Sequence, residues 1–148
     1  MQANERAFLD MLAVSEGTFG HGDNGYNVLV GGDLFQGYAK HPNVLVTLNK
    51  AGLKSTAAGR YQFLKRTWDS LAAKLHLIDF SPAAQDVAAL ELIAERGAAD
   101  DVRSGRLAEA VAKCAPIWAS LPGAGYNQME RSMSFLQSAY VRAGGQLA

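Results

Sequence analysis

Cysteine occurs once in these 148 residues, at Cys114. An internal disulfide is therefore excluded, and a lone thiol reads first as a small buried apolar residue. Neither sign of charge is in excess, because Lys plus Arg and Asp plus Glu number 14 each. Nucleic-acid binding draws on phosphate contacts and goes with a basic surplus, so no nucleic-acid partner is expected. A neutral chain is compatible with a neutral polymer such as a polysaccharide. No apolar run approaches the ~20 residues of a membrane span; Phe8 to Val14 is short and carries Asp10. The N-terminus lacks a basic stretch leading into an apolar one, so neither an export signal nor a membrane anchor is expected. The chain reads as made in the cytoplasm, needing help from elsewhere to act beyond the membrane. Repeats and low-complexity segments are also lacking.

What is present is the composition of a globular protein, with 49% apolar and 19% charged residues. The length suits one domain over residues 1–148. Glycine gathers between Gly17 and Gly59, among short apolar runs, whereas the later residues read as successive helices. This order predicts an α+β fold, mostly helical with a small β region.

A first helix is expected from a cap at Asn4 to Val14 or Ser15, with Ala7, Phe8, Met11, Leu12 and Val14 inward and Gly17 ending it. Tyr26 to Val30 reads as a strand, Gly31-Gly32 as a turn and Leu34-Phe35 as a short return strand, while Asn49 to Thr56 reads as loop. A helix is predicted from Gly59 or Arg60 to Leu75, with Phe63, Leu64, Thr67, Leu71 and Leu75 inward. Another runs from a Ser81 cap and a first-turn Pro82 to Arg96, with Val87, Leu90 and Ile93 or Ala94 inward. Two more run from Leu107 to Ala115 and from Asn127 to Arg142, the last with a stripe of Met129, Met133, Leu136 and Tyr140.

Glu16 is the residue with the clearest chemical promise. Four residues after Leu12, it continues the apolar face of the first helix. A helix C-terminus disfavours negative charge, and an apolar surface removes hydration. Both raise the carboxyl pKa toward the range a general acid needs for protonating a glycosidic oxygen. A solvated glutamate at a frayed helix end is the plain alternative from position alone.

Motifs bear on that choice. Ala7-Phe8-Leu9-Asp10-Met11-Leu12-Ala13, Ser15-Glu16-Gly17-Thr18, Asn24-Gly25-Tyr26-Asn27-Val28 and Gly31-Gly32 come first. Leu53-Lys54-Ser55-Thr56-Ala57-Ala58-Gly59-Arg60-Tyr61-Gln62-Phe63 follows. Asp79-Phe80-Ser81-Pro82, Gln85-Asp86, Glu95-Arg96-Gly97-Ala98 and Ile117-Trp118-Ala119-Ser120-Leu121-Pro122-Gly123-Ala124-Gly125-Tyr126 complete the series. In this order, over nearly the whole chain, they resemble the lambda lysozyme family of lambdoid phage endolysins.

The resemblance implies a lysozyme-like α+β fold with a substrate cleft between two lobes. It implies a lytic transglycosylase that cleaves the β-1,4 bond from N-acetylmuramic acid to N-acetylglucosamine and leaves a 1,6-anhydromuramoyl end. It places the catalytic acid at Glu16. A glycosidase of the usual kind needs two carboxylates. A transglycosylase can use one, because the C6 hydroxyl of the sugar is the nucleophile. No cofactor and no metal is implied.

The same resemblance points to Ser55, Tyr61 and Gln62, through a Ser, then Gly, then Gln pattern shared among lytic transglycosylases. Ser55 and Gln62 would bind the acid or the acetamido groups; helix capping and a surface amide are their plain alternatives. Tyr126 and Asn127 match a late Tyr-Asn element whose aromatic lies over a sugar, with core packing the alternative for Tyr126. Asn27 stands where the lambda pattern has Asp, and nearby Asp23 and Asp33 have turn roles. The loop after Thr18 is shorter than the family pattern.

The implied partner is the peptidoglycan glycan strand, met by a monomer in the periplasm after a holin opens the membrane, with no direct holin contact. The rival readings are a hydrolytic muramidase, a zinc amidase and a non-catalytic wall-binding module. For the amidase, His21, His41, His76 and Cys114 supply ligand types without the paired spacing of a zinc motif.

Overall fold

The structure is a computed structural model that describes residues 1–125 and 130–148. Among these residues the order is α1 (Ala3–Glu16), β1 (Val46–Thr47), β2 (Lys54–Ser55), α2 (Lys65–Leu75), α3 (Pro82–Glu95), α4 (Ala99–Ser104), α5 (Leu107–Cys114) and α6 (Met133–Arg142). This is the α+β arrangement expected, mostly helical with a small sheet. The chain divides into two compact units, one of Met1–Gly17 with Ala89–Ala148 and one of Thr18–Ala88.

In the first unit α1 packs against α6 and α4, and α4 against α5. Ala7, Phe8, Leu9, Met11, Leu12 and Ala13 are all fully buried. The residue capping α1 is Gln2, not Asn4: the Glu5 carboxylate accepts from the Gln2 backbone N–H at 2.9 Å. Asn4 instead ties down the C-terminal tail. Its Nδ2 donates to the carbonyls of Arg103 and Gln146, and its Oδ1 accepts from the Gln146 N–H. At the other end Gly17 takes the left-handed conformation (φ 79°) and its N–H reaches back to Ala13 and Val14. A residue with a Cβ resists that conformation, so glycine stops the helix where Glu16 ends it. α6 begins at Met133, capped by the Ser132 hydroxyl on the Phe135 N–H, so the expected start at Asn127 is too early. The predicted stripe residue Met129 lies outside the described residues.

In the second unit an aromatic core surrounds Phe80, whose ring lies 4.6 Å from Trp68 and 5.0 Å from His41, centroid to centroid. The segment expected to be a strand from Tyr26 contributes single antiparallel bridges, Val28 with Leu34 and Leu29 with Ala58. The regular strands lie elsewhere: Val46 pairs with Ser55 and Thr47 with Lys54, antiparallel. Their turn is held by Asn49, whose side chain accepts from the Leu53 N–H at 3.0 Å. Lys54–Ser55, read as loop, is therefore strand.

The helix expected from Gly59 begins only at Lys65. Ala58 and Phe63 exchange both backbone hydrogen bonds, and this pairing folds residues 59–62 into a turn that no helix can contain. Leu64 and Val87, expected inward, are exposed. α3 follows the prediction in its Ser81 cap, whose hydroxyl accepts from the Ala84 N–H at 3.2 Å. It begins in the second unit and ends in the first.

Candidate functional site

In the first unit Glu16 is half-buried at the last position of α1. Its surroundings are tied together by three bonds. Ser15 Oγ lies 2.7 Å from Ser120 Oγ, Arg131 N–H donates to the Ser120 carbonyl at 2.7 Å, and Arg131 Nε donates to the Ser15 carbonyl at 3.3 Å. The residue before the carboxylate is thus held through both its hydroxyl and its carbonyl. Removal from water raises the Glu16 pKa from 4.5 to about 7, and the positive charge of Arg131 opposes the rise. Desolvation wins, in the direction the sequence predicted. A carboxyl with this pKa is present in both protonation states near neutral pH, so it can give up a proton and take one back.

In the second unit the structure brings Asn27–Val28 against Gly59–Gln62. Gly59 N–H donates to the Val28 carbonyl at 2.9 Å, and Gln62 Nε2 donates to the Gly59 and Val28 carbonyls at 2.9 and 3.3 Å. Two carbonyl acceptors require donors, which fixes the amide orientation and leaves Gln62 Oε1 as its available acceptor. Gln62 is held at φ 55°. A non-glycine residue in this region is uncommon, and such strain is often found at functional sites.

The other expected residues divide. Asn27 Oδ1 accepts from the Asp23 N–H at 2.8 Å and so closes the turn before it. Ser55 Oγ accepts from the Ala57 N–H at 3.1 Å, within β2 and its exit. Helix capping is not its task; Thr56 Oγ1 accepts from Lys65 N–H at the start of α2. Tyr61 is fully buried, and its hydroxyl donates to Asp86 Oδ1 at 2.6 Å. The contact expected for Tyr61 is corrected to an interior one, because its polar end is satisfied inside the unit. Tyr126 and Asn127 lie outside the described residues. Asp23, weighed as a possible second carboxylate, accepts from the Tyr38 hydroxyl at 2.6 Å.

Sequence reasoning missed the group around Arg60. Only 1% of its surface is exposed. Its Nε donates to the Asn24 carbonyl at 3.0 Å and Nη1 to the Tyr61 hydroxyl at 3.1 Å. The rings of Phe19, Tyr26 and Tyr61 lie 5.3–5.7 Å from the guanidinium carbon. The Arg60 carbonyl accepts from Thr18 Oγ1 at 2.6 Å, and its N–H donates to Gln85 Oε1 at 2.9 Å. Tyr26 and Tyr61 both donate to Asp86 Oδ1. The loop after Gly17, the turn carrying Gln62 and the start of α3 are thereby fastened to one buried cation. Arg60 and Asp86 both fall in the quoted motifs, and a charge within an apolar run was the only local signal.

His41 makes two bonds at the edge of the aromatic core. One ring nitrogen (Nε2) lies 2.8 Å from the Phe63 carbonyl and the other accepts from the Asn43 N–H at 3.0 Å. Among the described residues no three His, Cys, Asp or Glu side chains gather in a way that could hold a metal ion. Cys114 is fully buried, and burial pushes its thiol pKa up to about 12.

A family model described as Endolysin matches residues 6–147. The chain belongs to the Endolysin family. It is 51% identical to the endolysin of Escherichia phage lambda over 95% of this chain and 90% of that protein. It is 48% identical to the endolysin of Escherichia phage P2, over 96% of this chain and 93% of the relative. A solved structure of bacteriophage lambda lysozyme complexed with a chitohexasaccharide matches with a TM-score of 0.97 and 49% identity, over 100% of this chain and 98% of that one. A second structure of lysozyme from bacteriophage lambda matches with a TM-score of 0.92 and 47% identity over the same shares. This endolysin is therefore lysozyme-like in fold and a peptidoglycan-cleaving enzyme by family.

Proposed function

We propose that this endolysin is a lytic transglycosylase, with Glu16 as its single acid and base. The glycan strand binds with the oxygen of a MurNAc–GlcNAc bond at the Glu16 carboxyl. Glu16 donates its proton to that oxygen as the C1–O bond breaks, and the departing strand leaves as an alcohol. The carboxylate then takes the proton of the muramic acid C6 hydroxyl, whose oxygen closes onto C1. The ring ends as a 1,6-anhydro sugar, Glu16 is protonated again, and no water is consumed.

The observation that carries this reading is the Glu16 carboxyl at the end of α1, with a pKa raised by burial to about 7. One group that spends comparable time in both states suits a cycle that uses it first as acid and then as base. The position that carries Asp in the lambda pattern is Asn27, which cannot act as a second carboxylate. Binding of a chitohexasaccharide by the related lambda lysozyme supports a β-1,4-linked amino-sugar polymer as substrate.

We assign Gln62, through its available Oε1, to an N–H of a sugar acetamido group. Ser55, Asn27, Tyr126 and Asn127 are assigned to glycan contacts on the family pattern, and Tyr61 to supporting the turn that carries Gln62. Both units serve this one catalytic function in a monomer. Release from the host cytoplasm to the periplasmic wall is proposed to follow membrane opening by a holin.

Mass spectrometry of digested sacculi tests the reaction. Anhydromuramoyl ends are expected. Reducing ends would make the enzyme a hydrolytic muramidase, and intact strands would make the protein a binding module. Glu16→Gln is expected to fold and to lose at least roughly 10²–10⁴-fold in activity, the range for one general acid.

A further inference from the structure

A helix that ends in a functional carboxylate faces a local conflict. The C-terminal carbonyls of α1 already carry partial negative charge, and an ionised Glu16 adds more. Many helices ease this with a Lys or Arg in their last turn, but α1 has none. The cation comes instead from Arg131, 116 residues after Ser15 in the chain, whose Nε reaches the Ser15 carbonyl.

Arg131 is itself held in place. Its backbone is bonded to Ser120, and its guanidinium lies over the Phe135 ring, 5.0 Å from the centroid. It makes no ion pair with Glu16 within 4 Å, so its charge acts at longer range. The other charges around this point are turned elsewhere. Glu130, its neighbour, accepts from the N–H groups of Gly123 and Gly125. On α1, Glu5 bonds the helix start and Asp10 lies 3.8 Å from Arg6. Asp10, the nearer of the two, precedes Glu16 by six residues, about 9 Å of helix rise. On α4, Arg103 reaches Asp100, and Asp101 is taken by Arg106 and Lys113. On α5, Glu109 belongs to the first turn, and α6 carries Arg142 in its last turn.

We propose that Arg131 is a positioning residue for the acid, holding the end of α1 through the Ser15 carbonyl and giving the carboxylate form of Glu16 a fixed positive neighbour while its proton is on the sugar. The inference rests on Glu16 being the acid. Its physical logic is a compromise. Burial alone would make Glu16 so weak an acid that proton donation slows. A direct ion pair would keep it ionised and unable to donate at all. A cation fixed at one remove tempers the first effect without producing the second. Its grip on the backbone also keeps the carboxyl from following the charge.

The test is titration of the Glu16 side-chain carboxyl by ¹³C NMR in the full-length protein, which needs no substrate. In Arg131→Gln the midpoint is expected to rise above the wild-type value. In Arg131→Lys, which keeps the charge, most of that rise is expected to disappear. Wild-type titration in high salt is expected to move upward too, because screening weakens the same attraction; this holds even if the Gln variant folds poorly. On sacculi, Arg131→Gln is expected to lower kcat about 3- to 10-fold with little change in KM and to move the alkaline limb of the pH profile upward. A residue with only a structural role would lower stability and leave the Glu16 midpoint in place. An unchanged midpoint in Arg131→Gln and in high salt overturns the inference while leaving Glu16 as the acid. An active Glu16→Gln enzyme would instead overturn the assignment of the acid, whatever the titration shows.

Discussion

Replacing Glu16 by Gln should make the protein more stable, by an amount that grows as pH rises from about 4.5 to about 7. Burial raises the folded-state pKa to about 7 from an ordinary 4.5. In the unfolded chain the group ionises near its ordinary value, so between these two limits the unfolded state releases its proton more readily. The protonated group's contribution is fully present below about pH 4.5 and is lost as pH rises through about 7. Each pKa unit corresponds to about 1.4 kcal/mol, so the full difference amounts to about 3 kcal/mol at pH 8. Gln has nearly the same shape and no charge to desolvate. At pH 4 the two proteins should therefore match closely, and by pH 8 the variant should lead by up to about 3 kcal/mol, or roughly 6–10 °C in Tm for a chain of this size. Urea unfolding at pH 4, 6 and 8, with both proteins in one buffer series, measures the difference. A stability gain that stays flat with pH, or that shrinks as pH rises, would refute the claim that Glu16 is ionised at a cost.

Three other outcomes are expected. Arg60→Met removes a buried cation and takes the guanidinium donors from the Asn24 carbonyl and the Tyr61 hydroxyl; a loss of about 3–5 kcal/mol is expected in urea unfolding. His41 has a lowered pKa because burial outweighs its bond to the Phe63 carbonyl, so the unfolded state binds its proton more readily. Stability from this group is present above about pH 6.5 and falls as the solution is acidified, and His41→Gln should flatten that part of the stability profile. Gln62→Gly accepts the positive φ but removes the amide, so kcat/KM on sacculi should fall roughly 10-fold or more with less than about 2 kcal/mol of destabilisation. An unaffected kcat/KM would remove Gln62 from the glycan site.

The parts of the fold that could be read from the sequence are those governed by neighbouring residues. Gly17 marks the end of α1 because the left-handed stop is a local requirement. Ser81 and Pro82 mark the start of α3 for the same kind of reason. The failures share a cause of the opposite kind. The helical spacing of Phe63, Thr67 and Leu71 was extended back across Arg60, but Gly59 is bonded to Val28 and Ala58 to Phe63, and these pairings decide the turn. The pair Lys54–Ser55 is too short to show the period of a strand and exists because Val46–Thr47 lies opposite. At the site, the raised pKa of Glu16 was legible from its place at the end of an apolar helix face. Tyr61 was misplaced because an aromatic in a functional motif invites a surface role, whereas its hydroxyl is used up on Asp86. Arg60 and Asp86 went unread because pattern alone assigns charges to solvent, and only long-range partners make their burial affordable.

On the proposed role of Glu16, the arrangement around it answers one requirement, that a carboxyl remain able to lose a proton where losing it is unfavourable. Moving Glu16 one turn earlier would place it inside the apolar face, where Leu12 and Ala13 are fully buried and ionisation would cost far more. Moving it on to the position of Phe19, which is 48% exposed, would return its pKa toward 4.5, leaving almost no acid at neutral pH. The last helical position lies between these limits, and there the residual mismatch is small enough for one distant cation to adjust. This explains why the supporting bonds converge on Ser15, whose hydroxyl meets Ser120 and whose carbonyl meets Arg131. Fixing Ser15 sets the direction of the neighbouring Glu16 carboxyl without occupying either of its oxygens, and both must stay available if the proposed acid is to act first as donor and then as acceptor.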